Sequence, residues 1–175
     1  MDRKIPRAMD VAIFKMGIYD RRLNMYIGID PGKDKTGWAL VDKTGSLKAS
    51  GIFKGYLPSS IAEILAFSCI GELKKSLLEG TIDIKDFTGI EKIIVGSGTT
   101  SSQIISELSA RDISPIEVDE KNTTIQARWL YWKIHRPGFL RRIFPFLLQL
   151  PPRDIDDLAA WQIVKVFLEG KEADL

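Results

Sequence analysis

Residues 25 to 42 read MYIGIDPGKDKTGWALVD, and the way this run stops decides the fold. Met25 to Ile29 is an apolar, β-forming stretch that ends on an acid, Asp30, and turns on Pro31-Gly32. A lone carboxylate at the end of a buried strand loses on the order of several kcal/mol of hydration unless something pairs with it. Either a turn uses Asp30 or a cation does. Beyond the turn, TGWALVD reads as a second strand and SLKASGIF as a third, with DKTG (Asp42 to Gly45) as the turn between them. Three strands joined this closely form a β-meander.

Further along, Pro58-Ser59-Ser60 offers a helix start, and Ile61, Leu65, Cys69, Leu73 and Leu77 recur every four residues, so one helix is expected to run to Gly80. Cys69 on that stripe is a core position rather than a reactive thiol. EKIIVG (Glu91 to Gly96) has the short apolar character of a strand buried on both faces. TTSSQIISELSA follows as a helix with Thr or Ser to cap it, then SPIEVDE as a strand. NTTIQARWLYWKI is a helix with Asn122 or Thr123 as N-cap and Ile125, Trp129 and Trp132 on one face. After a loop rich in proline and arginine, DIDDLAAWQIVKVFLEG forms the last helix, with Gly170 at its end. This order predicts an α/β fold: a five-stranded mixed sheet, an antiparallel three-strand meander plus parallel strands, with helices on both faces. Ligands in such sheets sit at the carboxyl ends of the parallel strands.

The chain has 175 residues, 45% of them apolar and 27% charged, which is ordinary for a globular protein. A domain of this size buries roughly 70% of its unfolded surface. Residues 25–175 are read as that domain. Residues 1–24 fit the plan poorly: they are either an N-terminal extension, disordered or produced by a start assigned too far upstream, or a short helix packed on the domain. A single cysteine excludes an internal disulfide framework. No segment reaches the ~20 apolar residues of a membrane span, and VAIF, flanked by Asp10 and Lys15, does not make a secretory signal. A cytoplasmic protein with no membrane partner is expected.

Three acids fall where chain-end logic gathers them: Asp30 at the end of the first strand, Glu120 at the end of the last, and Asp156 in the first turn of the final helix. Crowded carboxylates repel unless protonated or bridged by a divalent cation, and oxygen-only ligand sets select hard ions such as Mg²⁺ or Mn²⁺. Two such ions activate a water and stabilise the leaving oxygen of a phosphodiester. Singly, each acid also has a plain role: Asp30 in an Asp-Pro-Gly turn, Asp119-Glu120 in a solvated loop, Asp154, Asp156 and Asp157 at a helix N-terminus. The single histidine, His135, reads as a surface or phosphate-contacting residue.

Lys and Arg exceed Asp and Glu by only two, 25 against 23, so overall charge does not argue for nucleic acid. The distribution does. From Lys121 to Arg153 there is no Asp or Glu, yet Lys121, Arg128, Lys133, Arg136, Arg141, Arg142 and Arg153 are present, a local excess suited to phosphates. Tyr131 and Phe139 are candidates for base stacking, while the helical spacing of Trp129 and Trp132 makes them core. GSGTTSSQ places Gly96, Ser97, Gly98 and Thr99 before a helix, where free N–H groups let a phosphodiester approach or simply make a strand-helix turn. It lacks the lysine of a P-loop.

IGIDPGKDKTGWALVD resembles the opening hairpin of the RuvC-like branch of the ribonuclease H superfamily. VDEKNTTIQARWLYW and LPPRDIDDLAAWQIVKVFLE are similar, more narrowly, to the YqgF family, and KIIVGSGTTS falls where that family has an Ile-Val-Gly strand and polar loop. The resemblance spans Met25 to Gly170. It implies a ribonuclease H-like fold and a metal-dependent endonuclease, described in that family as a Holliday-junction resolvase and as a nuclease maturing the small-subunit ribosomal RNA precursor. By position, Asp30, Glu120 and Asp156 match the acidic triad that binds Mg²⁺ or Mn²⁺, with Asp157 as a substitute for Asp156. Lys121 stands where the family usually has arginine, and EKIIVG ends without the acid that RuvC proper carries nearby. A junction resolvase needs two active sites, hence a homodimer. Two other classes share these features: a nucleic-acid-binding module of the same fold without turnover, and an actin- or sugar-kinase-like phosphotransferase, whose ATP lies between two such domains.

Overall fold

In the computed structural model, residues 25–83, 89–98, 100–119, 123–135 and 150–173 are described. The meander forms as the alternation predicts: β1 (Met25–Pro31), β2 (Lys35–Val41) and β3 (Leu47–Lys54) pair antiparallel, with Ile29 opposite Trp38 and Ala39 opposite Ser50. Asp42 builds the β2–β3 turn. Its Oδ1 accepts hydrogen bonds from the Thr44 amide (2.9 Å), the Thr44 hydroxyl (2.6 Å) and the Ser46 amide (3.0 Å), while Lys48 Nζ lies 2.8 Å from Oδ2. Gly45 completes the turn at φ +81°, a conformation that favours glycine.

The expected single helix to Gly80 does not form. The chain breaks into α1 (Pro58–Ala66), α2 (Ile70–Lys75) and a strand, β4 (Leu77–Gly80). Ser68, at φ +48°, turns the backbone out of the helix. Beyond it, β4 pairs antiparallel with β3, Ser50 opposite Glu79 and Ala49 opposite Gly80. A four-residue apolar stripe carries no information about the open N–H and C=O groups on the outer edge of β3, which need partners. Supplying them gives the sheet six strands rather than five.

The parallel half follows. β5 (Ile90–Gly96) lies beside β1, α3 (Ser101–Ser109) returns the chain, and β6 (Ile116–Val118) lies parallel to β5. The sheet order is β4-β3-β2-β1-β5-β6. Two further helices are α4 (Thr123–Ile134) and α5 (Asp156–Ala173); α5 runs through Gly170 instead of ending there. No described helix is long and apolar enough to cross a membrane.

Helices cover both faces. Ile27, Ile29, Trp38, Leu40 and Phe53 face α1 to α3, packing with Ile61, Leu65, Leu73, Ile104 and Leu108. Full burial of each large apolar side chain contributes roughly 1.5–3 kcal/mol. Cys69 lies partly buried against this core, and burial, then Glu63 and Glu72, push its thiol pKa up, away from reactivity. On the opposite face Tyr26, Ala39, Val41 and Ile94 meet Ala160, Ile163 and Val164 of α5. On its outer side α5 presents Leu158 and Ala159 to Ala127, Leu130, Tyr131 and Trp132 of α4. A helix sandwiched between a sheet and another helix needs apolar residues on most sides, as its sequence has.

Two glycines let α5 lie close on the sheet. A Cβ at Gly28 would stand 2.1 Å from the Ala160 carbonyl oxygen, and one at Gly37 would stand 2.0 Å from that of Asp156. Helix backbone takes the space that side chains would fill.

Candidate functional site

Asp30 sits at the carboxyl end of β1, half-buried, two residues beyond Gly28 and so on the α5 face by strand alternation. Its register partner across the hairpin is Gly37, roughly 5 Å away between Cα atoms. The first turn of α5 rests on that same glycine through the backbone of Asp156. The structure therefore brings Asp30 and Asp156 to one end and one face of the sheet.

Lys35, which shares the Gly37 face, was not among the expected site residues. Its Nζ lies 2.9 Å from Asp156 Oδ2 and 2.9 Å from Asp154 Oδ1. Burial pulls the Lys35 pKa down, but the hydrogen bonds and charges of Asp156 and Asp154 outweigh it and the net shift is upward. Lys35 holds the Asp154 carboxyl below its usual range, with a smaller contribution from Lys54. The signal was available: Lys35, Gly37, Ala39 and Val41 alternate onto one face.

The neighbouring acids have separate environments. Asp157 is fully buried and accepts hydrogen bonds from Arg153 Nη1 (2.8 Å, to Oδ1) and from the Ser50 hydroxyl (2.8 Å, to Oδ2). Asp156 is partly exposed beside Lys35. Asp157 is thus committed to holding α5 on β3 and is not placed to substitute for Asp156. Arg153, expected at a phosphate, extends from Asp157 to Glu79 on β4, whose Oε1 accepts from Nη2 at 2.5 Å, and lies over the Tyr131 ring. His135 Nε2 reaches the same Glu79 oxygen at 2.7 Å. Burial pushes the Glu79 carboxyl up, but His135 and Arg153 prevail and its pKa is lowered. The single histidine is therefore part of an ion-pair cluster that ties α4, α5 and the edge strand together.

Other expected contacts divide by location. Arg128 is partly exposed and Lys133 exposed on α4. Glu120, Lys121, Arg136, Phe139, Arg141, Arg142 and Thr99 lie outside the described residues. Tyr131, expected to stack on bases, is buried at 6% exposure against α5, whereas Trp129, expected in the core, is 59% exposed. Helix α4 buries positions 127, 130 and 131, and Trp129 falls on the opposite side. In the β5–α3 loop, Gly98 is pressed against Pro31, where a Cβ would meet the carbonyl oxygen at 2.6 Å. The Thr100 hydroxyl donates to the Gly32 carbonyl (3.2 Å) rather than capping α3, and the Ser97 amide donates to Val118. Gly98 and Thr100 thus pack on the β1 turn, while Gly96 and Ser97 pair with Val118 of β6.

Asp30 and Asp156 are hard oxygen donors held by backbone contact at the strand ends, which suits Mg²⁺ or Mn²⁺. Among the described residues no three His, Cys, Asp or Glu side chains are gathered as a metal site. Asp30 and Asp156 could supply two oxygen ligands to such an ion, Asp156 on leaving Lys35.

No protein-family model matches the chain, and no curated protein matches it. Among solved structures, it is similar to a ROK family transcriptional regulator, homolog of the E. coli MLC protein, with 9% identity and a TM-score of 0.38. The match covers 61% of this chain and 30% of that one. The chain spans under a third of that protein's length, and the likeness is too loose to identify a fold.

Proposed function

We propose that the chain is a ribonuclease H-like, divalent-metal-dependent endonuclease acting on structured nucleic acid, branched DNA or a ribosomal RNA precursor. The observation that carries this reading is the seating of Asp156 on Gly37, directly opposite Asp30. It draws two acids, 126 residues apart by their numbers in the chain, to the carboxyl end of the central strand. Further support comes from topology. Apart from edge strand β4, the sheet is a three-strand antiparallel meander followed by two strands parallel to β1, the arrangement the hairpin resemblance implies.

Asp30, Asp156 and Glu120 would hold Mg²⁺ or Mn²⁺. Such an ion, when bound, makes a water nucleophilic and stabilises the departing oxygen. The chain's own contributions are positional. Gly37 sets how near the two carboxylates approach, Lys35 offsets the charge of Asp156, and the Asp157–Arg153–Glu79 cluster fixes the helix that carries it. The cations of α4 and the basic segment after it would orient the phosphate backbone.

A second reading, a nucleic-acid-binding module without turnover, draws on the contact between Lys35 and Asp156, in which an ammonium neutralises the acid a metal would need. One experiment separates the two. Purified protein is incubated with branched DNA and precursor RNA over a Mg²⁺ and Mn²⁺ titration, alongside Asp30→Asn and Asp156→Asn. Metal-dependent cleavage lost in both variants supports the nuclease; binding without cleavage under either metal supports the module. Unchanged cleavage by Asp30→Asn removes the site assignment.

A further inference from the structure

Asp156 and Asp157 are adjacent, yet each meets its cation in a different setting. Arg153 binds Asp157 at full burial, whereas Lys35 reaches Asp156 at the rim, where the two side chains are 35% and 23% exposed. The strand puts the ammonium there. Lys35 is the first residue of β2, opposite Lys54 on β3, and alternation places it on the Gly37 face, where the first turn of α5 rests. Its Nζ lies 2.9 Å from Asp156 Oδ2 and 2.9 Å from Asp154 Oδ1, so one ammonium, which has three donors, spans two acids. Exposure decides which pair can be exchanged. Taking one member from a buried pair strands a charge away from water, while a solvated pair is weakly held and parts readily.

We infer that Lys35 is a built-in counterion of the acidic edge, standing on Asp156 in place of a divalent ion, yielding that carboxylate when the ion binds and keeping Asp154; the inference deepens the nuclease reading and rests on its metal site. Asp154 is what makes the exchange possible. It already touches Lys35 and is 46% exposed, so the ammonium that leaves Asp156 still has a partner. Lys54, the other cation near Asp154, stands 3.8 Å from Oδ2, too far for a hydrogen bond, and leaves Lys35 as the closer contact. A doubly charged ion attracts a carboxylate more strongly than an ammonium at the same distance, so Asp156 favours the ion once one arrives. Until then the ammonium relieves the repulsion among acids gathered at one end of the sheet. Lys35 is thus a positioning residue: it sets how tightly the ion is held and keeps the ion-free edge together.

The test counts bound Mn²⁺ by the loss of the free-ion electron paramagnetic resonance signal, with no nucleic acid present, so that ion binding is read apart from cleavage. Native protein is compared with Lys35→Met, Lys35→Gln and Lys35→Arg, with Lys54→Met as the control for charge alone; circular dichroism checks folding, and the second neutral variant serves where the first does not fold. Both neutral variants should bind Mn²⁺ roughly fivefold to tenfold more tightly, equivalent to one partly exposed ion pair. Lys35→Arg should stay near the native affinity, and Lys54→Met should change it by less than about twofold, because that charge is exposed and screened. Asp154→Asn, which removes the ammonium's other partner, should weaken Mn²⁺ binding in the native background but not beside Lys35→Met. Native affinity in a folded neutral variant overturns the inference. So does equal tightening by Lys54→Met, which identifies a general charge effect, and so does an Asp154→Asn loss that persists without Lys35. A cleavage arm in Mg²⁺ keeps the failures distinct: metal-dependent cleavage with Mn²⁺ affinity indifferent to Lys35 refutes the counterion alone, and Lys35-dependent affinity without cleavage refutes the nuclease alone. Absence of Mn²⁺ binding in both native protein and Lys35→Met refutes the two together.

Discussion

Gly37→Ala links the fold to the site in one methyl group. Gly37 lies in a regular strand, so the substitution costs no backbone strain; its effect is steric. The new Cβ would stand 2.0 Å from the Asp156 carbonyl oxygen, 2.2 Å from its carbon and 2.8 Å from the Asp157 nitrogen. All three are backbone atoms and none can rotate away. To reach ordinary contact at 3.4 Å, the start of α5 must retreat by at least about 1.4 Å, against the packing of a buried helix. Overpacking of this kind costs about 1–3 kcal/mol, and the rigidity of the contact puts the expected loss near the top of that range, ~3 kcal/mol. It also moves Asp156 from Asp30, and a shift of about 1 Å costs roughly 100-fold in rate where positioning matters. Urea unfolding followed by circular dichroism reads the first effect and metal-dependent cleavage the second. Gly71→Ala is the control: nothing lies within 4 Å of its Cβ position on the exposed side of α2, so helix propensity should stabilise it by up to ~1 kcal/mol. A Gly37→Ala protein with the native urea midpoint would refute the seating of α5 on β2, and with it the convergence of the acids.

Two further outcomes follow from the charged groups. Asp157→Asn leaves Arg153 with Glu79 and the Asp154 carbonyl; breaking a buried ion pair costs about 3–5 kcal/mol, and because Arg153 is a quarter exposed the lower end, ~3 kcal/mol, is expected in urea unfolding. Asp156→Asn should cost under about 1 kcal/mol while abolishing cleavage, and equal stability losses in the two variants would contradict their separate roles. At the β2–β3 turn, burial pushes the Asp42 carboxyl up, but Lys48, Thr44 and Ser46 prevail and bring it from 3.8 to about 2. Because the folded pKa is depressed, the stabilisation is complete above about pH 4 and disappears as pH falls through about 2, amounting to about 2 kcal/mol. The stability gap between native protein and Asp42→Ala should therefore close over that window, and a gap independent of pH would exclude the charge as its source.

Much of this was legible because local rules and tertiary needs agree in the opening hairpin. Alternation fixed the faces of β1 and β2, and DKTG could only be a turn. Agreement ends where burial depends on a distant partner. Ile61 to Leu77 keeps a helical spacing through Cys69, yet its last member, Leu77, belongs to β4, because β3 requires an edge partner that the stripe does not encode. On α4, both 125/129/132 and 127/130/131 are acceptable helical faces; α5 buries the second together with Trp132, so Tyr131 goes inward and Trp129 stays exposed. Arg153 was visible as a cation, but its acceptors, Glu79 and Asp157, are 74 residues before it and four after. No local pattern joins the first of them to it.

The Asp156-Asp157 pair shows how one turn of helix divides two identical side chains. Successive residues on a helix point ~100° apart, so only one can enter the sheet interface. Gly37 admits the helix backbone at Asp156, which turns the Asp157 side chain down toward Ser50 on β3 and leaves that of Asp156 at the rim beside Lys35. Desolvating Asp157 is tolerable because a guanidinium and a hydroxyl bind it. That anchoring, in turn, fixes the rim carboxylate beside Lys35 without burying it. Under the nuclease reading, exchanging the Lys35 ammonium for a metal ion needs the acid accessible and its helix immobile, and adjacent aspartates meet both needs at once.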